Sequence, residues 1–259
     1  MNELSRRTFV KGVAATAPLA LVLGDPRLAA AVAAGLETVT ITTADGRKVK
    51  GALAMPVKTP APTVLLIHEW WGLNDQIKSV AAEFAKLGYL ALALDLYDGK
   101  LAKDGDRETA SNYRKAVKDA EATATVAAWV KWLKKHNKGN GKVGTVGWCF
   151  GGGWSLNASI AEPVDATVVY YGAVTRKADD LKKLKGPVIG HFGTKDQNIN
   201  KPMVDGFEAE MKKAGKPFTT HWYEADHAFA NPTGNRYNEA NAKLSWQRTQ
   251  EFFAKHLKG

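Results

Sequence analysis

Near the middle of the chain, Gly147-Trp148-Cys149-Phe150-Gly151-Gly152 sets a thiol between glycines two positions to either side. This is the G-x-nucleophile-x-G elbow with sulfur in place of the usual oxygen. A nucleophile on such a turn sits in strained backbone where a strand passes into a helix, and only small neighbours let strand and helix approach that closely. The helix N-terminus favours a thiolate, and the Phe150 N–H is placed to receive an oxyanion. The chemistry on offer is attack on a carbonyl through a covalent acyl intermediate. It needs a base and an acid to orient that base, and with this elbow they follow in the order nucleophile, acid, histidine, each in a loop after a later strand. Gly193-Thr194-Lys195-Asp196 follows one apolar run and Ala225-Asp226-His227-Ala228-Phe229 follows another. His227 is therefore the expected base, with Asp196 holding its imidazole. Asp226 competes for the acid role, but adjacent side chains in a loop diverge, which makes it the poorer orienter.

The elements that must hold these residues are legible as an alternation. Thr38 to Thr42 and Val49 to Leu53, joined by Asp45-Gly46, predict a β-hairpin ahead of the main fold. Val64-Leu65-Leu66-Ile67 is an unbroken apolar run suited to a strand buried on both faces of a parallel sheet. Ile77, Val80, Ala81, Phe84 and Leu87 recur at helical spacing after a cap at Asn74 or Asp75. Further strands are expected at 89–96, 142–148, 166–171, 187–192 and 218–223, with one long helix over 106–137 and a last helix over 237–256. Strands that alternate with helices predict an α/β fold, a mostly parallel central sheet with helices on both faces. No repeat or linker divides residues 35–259, so one domain is expected.

With those motifs in view, the chain resembles the dienelactone hydrolase family across nearly all of residues 35–259. The resemblance is carried by His68-Glu69-Trp70-Trp71-Gly72-Leu73-Asn74, Asp95-Leu96-Tyr97, the Cys149 elbow, the turn at 193–196 and His227-Ala228-Phe229. It implies the α/β-hydrolase fold and cleavage of a carboxylic ester or lactone. It further implies that Glu69 exchanges a proton with the nucleophile, and that the Trp70 N–H joins that of Phe150 in the oxyanion hole. A carboxylate closing a buried strand beside a thiol is expected to have a raised pKa, which suits that exchange. Dienelactone-cleaving members hold the substrate carboxylate with two arginines, where this chain has Asp98-Gly99-Lys100 and Ala230-Asn231-Pro232. Lys100 and Arg236 stand as substitutes, although a lysine is a point charge and cannot reproduce a bidentate fork. Trp71 is expected to line a pocket for an apolar or aromatic group.

Composition narrows the remaining classes. The 259 residues are 45% apolar and carry a formal charge of +10, with lysines spread along the chain rather than gathered in a tract. That distribution describes a solvated basic surface and not a nucleic-acid arm. The single cysteine excludes an internal disulfide and a multi-thiolate zinc site. His191, His221 and His227 lack metal-ligand spacing on one helix, so neither metal nor cofactor is expected. Residues 1–34 resemble a twin-arginine export signal: Arg6-Arg7, an apolar stretch from Val13 to Leu23, then small residues over 29–34. The stretch is too short to span a bilayer. A periplasmic or secreted protein is expected, a partner of the export machinery in transit and of a small ester or lactone afterwards, without a stable membrane anchor. Removing the leader's four basic and two acidic residues leaves +8. An exported thiol redox protein cycling through sulfenic acid, and a non-catalytic binding protein on the same fold, are the other readings of the sequence.

Overall fold

The computed structural model describes residues 25–103 and 105–259. The described chain enters through helix α1 (Pro26–Ala33), capped by the Asp25 carboxylate, which accepts from the Arg27 N–H at 2.8 Å. Strands β1 (Glu37–Thr42) and β2 (Lys48–Ala54) pair antiparallel around the Asp45-Gly46 turn. Then follow β3 (Ala61–Ile67), helix α2 (Asp75–Lys86), β4 (Leu90–Leu94), helices α3 (Arg107–Ala116) and α4 (Asp119–Lys135), and β5 (Gly139–Trp148). Helix α5 (Phe150–Ala161), β6 (Ala166–Tyr170), the short α6 (Ala178–Leu181), β7 (Val188–Gly193), α7 (Lys201–Lys213), β8 (Phe218–Tyr223) and α8 (Glu239–Phe253) complete the order, and Ala254–Lys258 closes in a π turn.

Eight strands form one sheet in the order β1-β2-β4-β3-β5-β6-β7-β8. Strand β2 runs antiparallel to both neighbours, and β4, β3, β5, β6, β7 and β8 run parallel. Successive side chains of a strand point to opposite faces, and β3 shows the result. Val64 and Leu66 join the core under α2 and α8, whereas Leu65 and Ile67 join the core under α4. A third cluster packs Leu156, Val169 and Phe192 against Val204, Phe207 and Met211 of α7. All seven residues of β3 are buried, which is why its run reads as continuously apolar. Val64, Leu65, Leu66 and Ile67 each contribute about 1.5–3 kcal/mol by leaving water, so the central strands are the rigid part of the frame.

The strand assignments and the Asn74 cap hold to within a few residues, with Asn74 Oδ1 accepting from the Ile77 N–H at 3.1 Å. The long helix expected over 106–137 is two helices, because Val117 and Lys118 are extended between α3 and α4. No glycine or proline marks the break. Val117 instead turns to pack against the core beneath α4, so tertiary burial overrides a locally helical pattern. The expected leader falls in two parts. Residues 1–24 lie outside the described residues, while 25–34 contain α1, whose Ala29 and Ala33 are buried and whose Ala29 carbonyl accepts from the Ser79 hydroxyl of α2 at 3.0 Å. Among the described residues, no helix is long and apolar enough to cross a membrane.

Candidate active site

The parallel register brings the ends of β3, β5, β6 and β7 to one edge of the sheet. Ile67 lies beside Gly147, Gly147 beside Val169, and Tyr170 beside His191. The chain leaving each strand therefore arrives at a common place. Cys149 is the turn between β5 and α5, at φ 54°, ψ −116°, a conformation rarely adopted by a residue with a side chain. The turn is held by the Cys149 N–H donating to the Tyr170 carbonyl at 3.0 Å. A Cβ on Gly147 would come within 2.0 Å of the Gly151 carbonyl oxygen, and one on Gly151 within 2.2 Å of the Ile67 carbonyl oxygen. Glycine is required at both positions because backbone packs directly on backbone.

His227 and Asp196 meet at this edge from the loops after β8 and β7. His227 Nδ1 donates to Asp196 Oδ2 at 2.6 Å. The other carboxylate oxygen accepts from the N–H groups of Asn198 and Ile199 at 2.9 and 3.0 Å. Burial works against the Asp196 charge, but the His227 bond and these amides outweigh it and hold the carboxyl below its ordinary range. Burial likewise opposes a charged His227 ring. The Asp196 bond, together with a hydrogen bond and charge from Cys149, overcomes this and pushes the imidazole up to about 10. Asp226, although adjacent in sequence, is not the carboxylate bonded to the ring.

Glu69 is buried in the same cluster, where Asn231 Nδ2 donates to Oε2 at 2.7 Å and the Tyr171 hydroxyl donates to Oε1 at 3.4 Å. Burial raises the Glu69 carboxyl above its ordinary range, against the lowering pulls of the His227 charge, the Asn231 and Tyr171 bonds and the Arg236 charge. Behind it, buried His68 Nδ1 donates to the Glu69 carbonyl at 2.5 Å while Nε2 accepts from the Leu96 N–H at 3.1 Å. This ties the β3 and β4 loops together and fixes the backbone that carries Glu69 and Trp70. Phe150 opens α5, so its N–H has no partner from the preceding turn of helix.

Cys149, His227, Glu69, Trp70, Trp71, Phe150 and Arg236 all line one cavity of about 860 Å³. Trp70 and Trp71 sit together there, ring centroids 4.9 Å apart. Lys100 is not brought to this cavity. It lines a separate one of about 410 Å³ beside Asp95, Asp98 and Tyr113, because Asp98 and Gly99 turn the chain away at positive φ. In its stead the structure supplies Arg107, Arg114 and Arg176 to the main cavity. The sequence gives no spacing signal for them, since they arrive from α3 and from the segment after β6. Asn231 stood in plain view as a departure from an arginine, but its bond to Glu69 depends on a 162-residue separation that no local pattern encodes.

The chain matches known proteins over most of its length. The family model described as the dienelactone hydrolase family matches residues 49–257. The carboxymethylenebutenolidase of Pseudomonas putida is 27% identical over 231 residues, covering 84% of this chain and 96% of that protein. A candidate carboxymethylenebutenolidase of Methylorubrum extorquens is 33% identical over 224 residues, 78% of this chain and 75% of its own. Among solved structures, a candidate dienelactone hydrolase from Klebsiella pneumoniae superposes with a TM-score of 0.75 at 27% identity, covering 85% of this chain and 99% of that one. A model that matches four-fifths of the chain, on an eight-stranded sheet of the same architecture, leaves one assignment: the chain belongs to the dienelactone hydrolase family.

Proposed function

We propose that this hydrolase cleaves carboxylic esters or lactones with Cys149 as its nucleophile. The observation that carries the reading is the 2.6 Å bond between Asp196 and His227, the latter lining the same cavity as Cys149. Glu69 first accepts the thiol proton, leaving a thiolate beside a charged His227. The sulfur attacks the carbonyl carbon, and the C=O π pair moves to oxygen, which receives N–H bonds from Trp70 and Phe150. Collapse breaks the C–O bond, and the departing alkoxide or enolate takes its proton from His227. Neutral His227 then removes a proton from water, whose oxygen displaces sulfur from the thioester and releases the acid, and the departing thiolate takes its proton back from Glu69. Asp196 keeps the imidazole in the tautomer that both steps need.

The relatives named for carboxymethylenebutenolidase support the reaction class. Asn231 and the Lys100 turn, standing where two substrate-holding arginines are expected, favour an ester other than dienelactone. The Arg6-Arg7 leader supports export, so the substrate is expected outside the cytoplasm; a reporter fused after residue 34 should lose export when both arginines become lysine. The deciding experiment is hydrolysis of aryl esters, thioesters and small lactones beside Cys149→Ala. Wild-type turnover that the variant lacks supports the reading, with Asp196→Asn expected to slow the rate roughly 10⁴-fold. Equal turnover by wild type and Cys149→Ala overturns it, and thiol-dependent consumption of peroxide in place of ester cleavage favours a redox centre.

A further inference from the structure

The cavity that holds Cys149 extends along α5. Phe150, Gly153, Trp154 and Asn157 line it at helical spacing. Asn157 is eight residues beyond Cys149, which at 1.5 Å per residue places it about 12 Å along the helix axis. There the cavity meets Arg176. Its guanidinium is held in place, with Nε donating to Asn157 Oδ1 at 2.8 Å and Nη1 to the Thr175 carbonyl at 2.7 Å. A guanidinium has five N–H donors, and these bonds use two of them.

Arg176 is partly buried, and burial works against its charge. Among the described residues no carboxylate lies within ion-pair distance of it. Asp119 and Asp180 act on it only at longer range, and Asp180 is bonded to Lys183 at 2.9 Å. Two arginines remote from the cavity are held by partners: Arg47 pairs with Asp45 at 2.9 Å, and Arg248 bonds the Tyr223 hydroxyl at 3.1 Å. Removing a guanidinium from water without a counter-charge is costly. A rigid fork facing a cavity in that state is suited to an incoming oxyanion. The same wall carries Arg107, stacked on the Trp70 ring at 5.6 Å, with Arg114 and Arg236, against Asp119 and Glu69.

We propose that Arg176 is a specificity-determining anchor for a substrate whose non-reacting end is a carboxylate, bound on the order of 12 Å from the scissile carbonyl. The substrate class is then an elongated ester or lactone with a terminal acid, spanning roughly eight to ten bonds from carbonyl to carboxylate. This rests on Cys149 as the nucleophile. The anion subsite lies at the far end of α5 and uses neither Lys100 nor Arg236.

The test is a series of aryl half-esters of linear diacids of increasing length, each compared with the methyl-ended acyl ester of equal length. Wild type should prefer the carboxylate end by about tenfold or more near the predicted length, and by little at short lengths, with the difference in KM. Arg176→Gln should bring that ratio close to one, and Arg176→Lys should restore part of it. A wild-type ratio that does not change with length overturns the anchor, and this result needs no variant to fold. A length-dependent peak that survives in Arg176→Gln overturns it equally. Turnover of a short neutral aryl ester reports Cys149 on its own. If none is seen, calorimetric binding of the free diacid monomethyl ester to Cys149→Ala still reads the anchor. Binding about tenfold weaker once Arg176→Gln is added supports it, and equal binding overturns it.

Discussion

His227 and Glu69 carry opposite burdens in one cluster, and each makes a pH prediction. The imidazole is lifted from 6.5 to about 10 by Asp196 and Cys149. The folded state therefore holds a proton there more tightly than the unfolded chain. The stability this contributes is fully present below pH 6.5 and is lost as pH rises through about 10. Melting temperatures should show wild type losing its margin over His227→Gln across that window; a constant margin would contradict the charged pair. Glu69 is raised by burial and drawn back by Asn231 and Tyr171. Taking Glu69 as the group that must be ionised to receive the thiol proton, the acid limb of kcat/KM reports it. Asn231→Leu removes a donor at 2.7 Å and should move that limb to higher pH. A limb that stays in place would show that another group sets it. The Cys149 elbow, His227 and Asp196 were all readable as residue types in an expected order. The supporting bonds of Asn231 and Tyr171 to Glu69, and of His68 to Leu96, were not, because they span 162, 102 and 28 residues.

At the scale of elements, the β5–α5 junction has no slack. Gly147→Ala sets a Cβ against backbone on the neighbouring helix, and since neither side can yield without moving the elbow, a loss of at least about 1–3 kcal/mol is expected in denaturant titration. Gly206, on the exposed face of α7 with nothing within 4 Å of its missing Cβ, gives the contrast. Gly206→Ala should stabilise by roughly 0.5–1 kcal/mol, and the same pair of titrations measures both. If Gly147→Ala proved neutral, the close approach described for the elbow would be wrong. The central strands were legible because burial on both faces writes an unbroken apolar run such as Val64 to Ile67. The split between α3 and α4 was hidden, since Val117 breaks the helix by packing against the core and not by any breaker in the sequence. Helix α1 was read only as part of an export signal, yet its buried Ala29 and Ala33 show a face shaped to α2.

Across the whole molecule, charge is arranged as well as abundant. Many surface lysines pair with carboxylates three or four residues away, while four arginines share the cavity wall. A carboxylate-bearing ester should therefore be drawn in by the field, and its kcat/KM should fall as salt rises from about 0.01 to 0.15 M while a neutral ester of equal length changes little. Parallel salt dependence for both would remove steering from the account. Net charge was legible from composition, but its concentration at one opening was not, because Arg107, Arg114, Arg176 and Arg236 come from separate segments. The lone cysteine has a practical corollary. A thiol reagent has a single possible address on each chain, in a cavity whose wall includes Trp70, Trp71 and Trp154. Labelling stoichiometry thus reports the accessibility of that one thiol directly, and the neighbouring indoles supply an intrinsic optical readout of each modification as it happens.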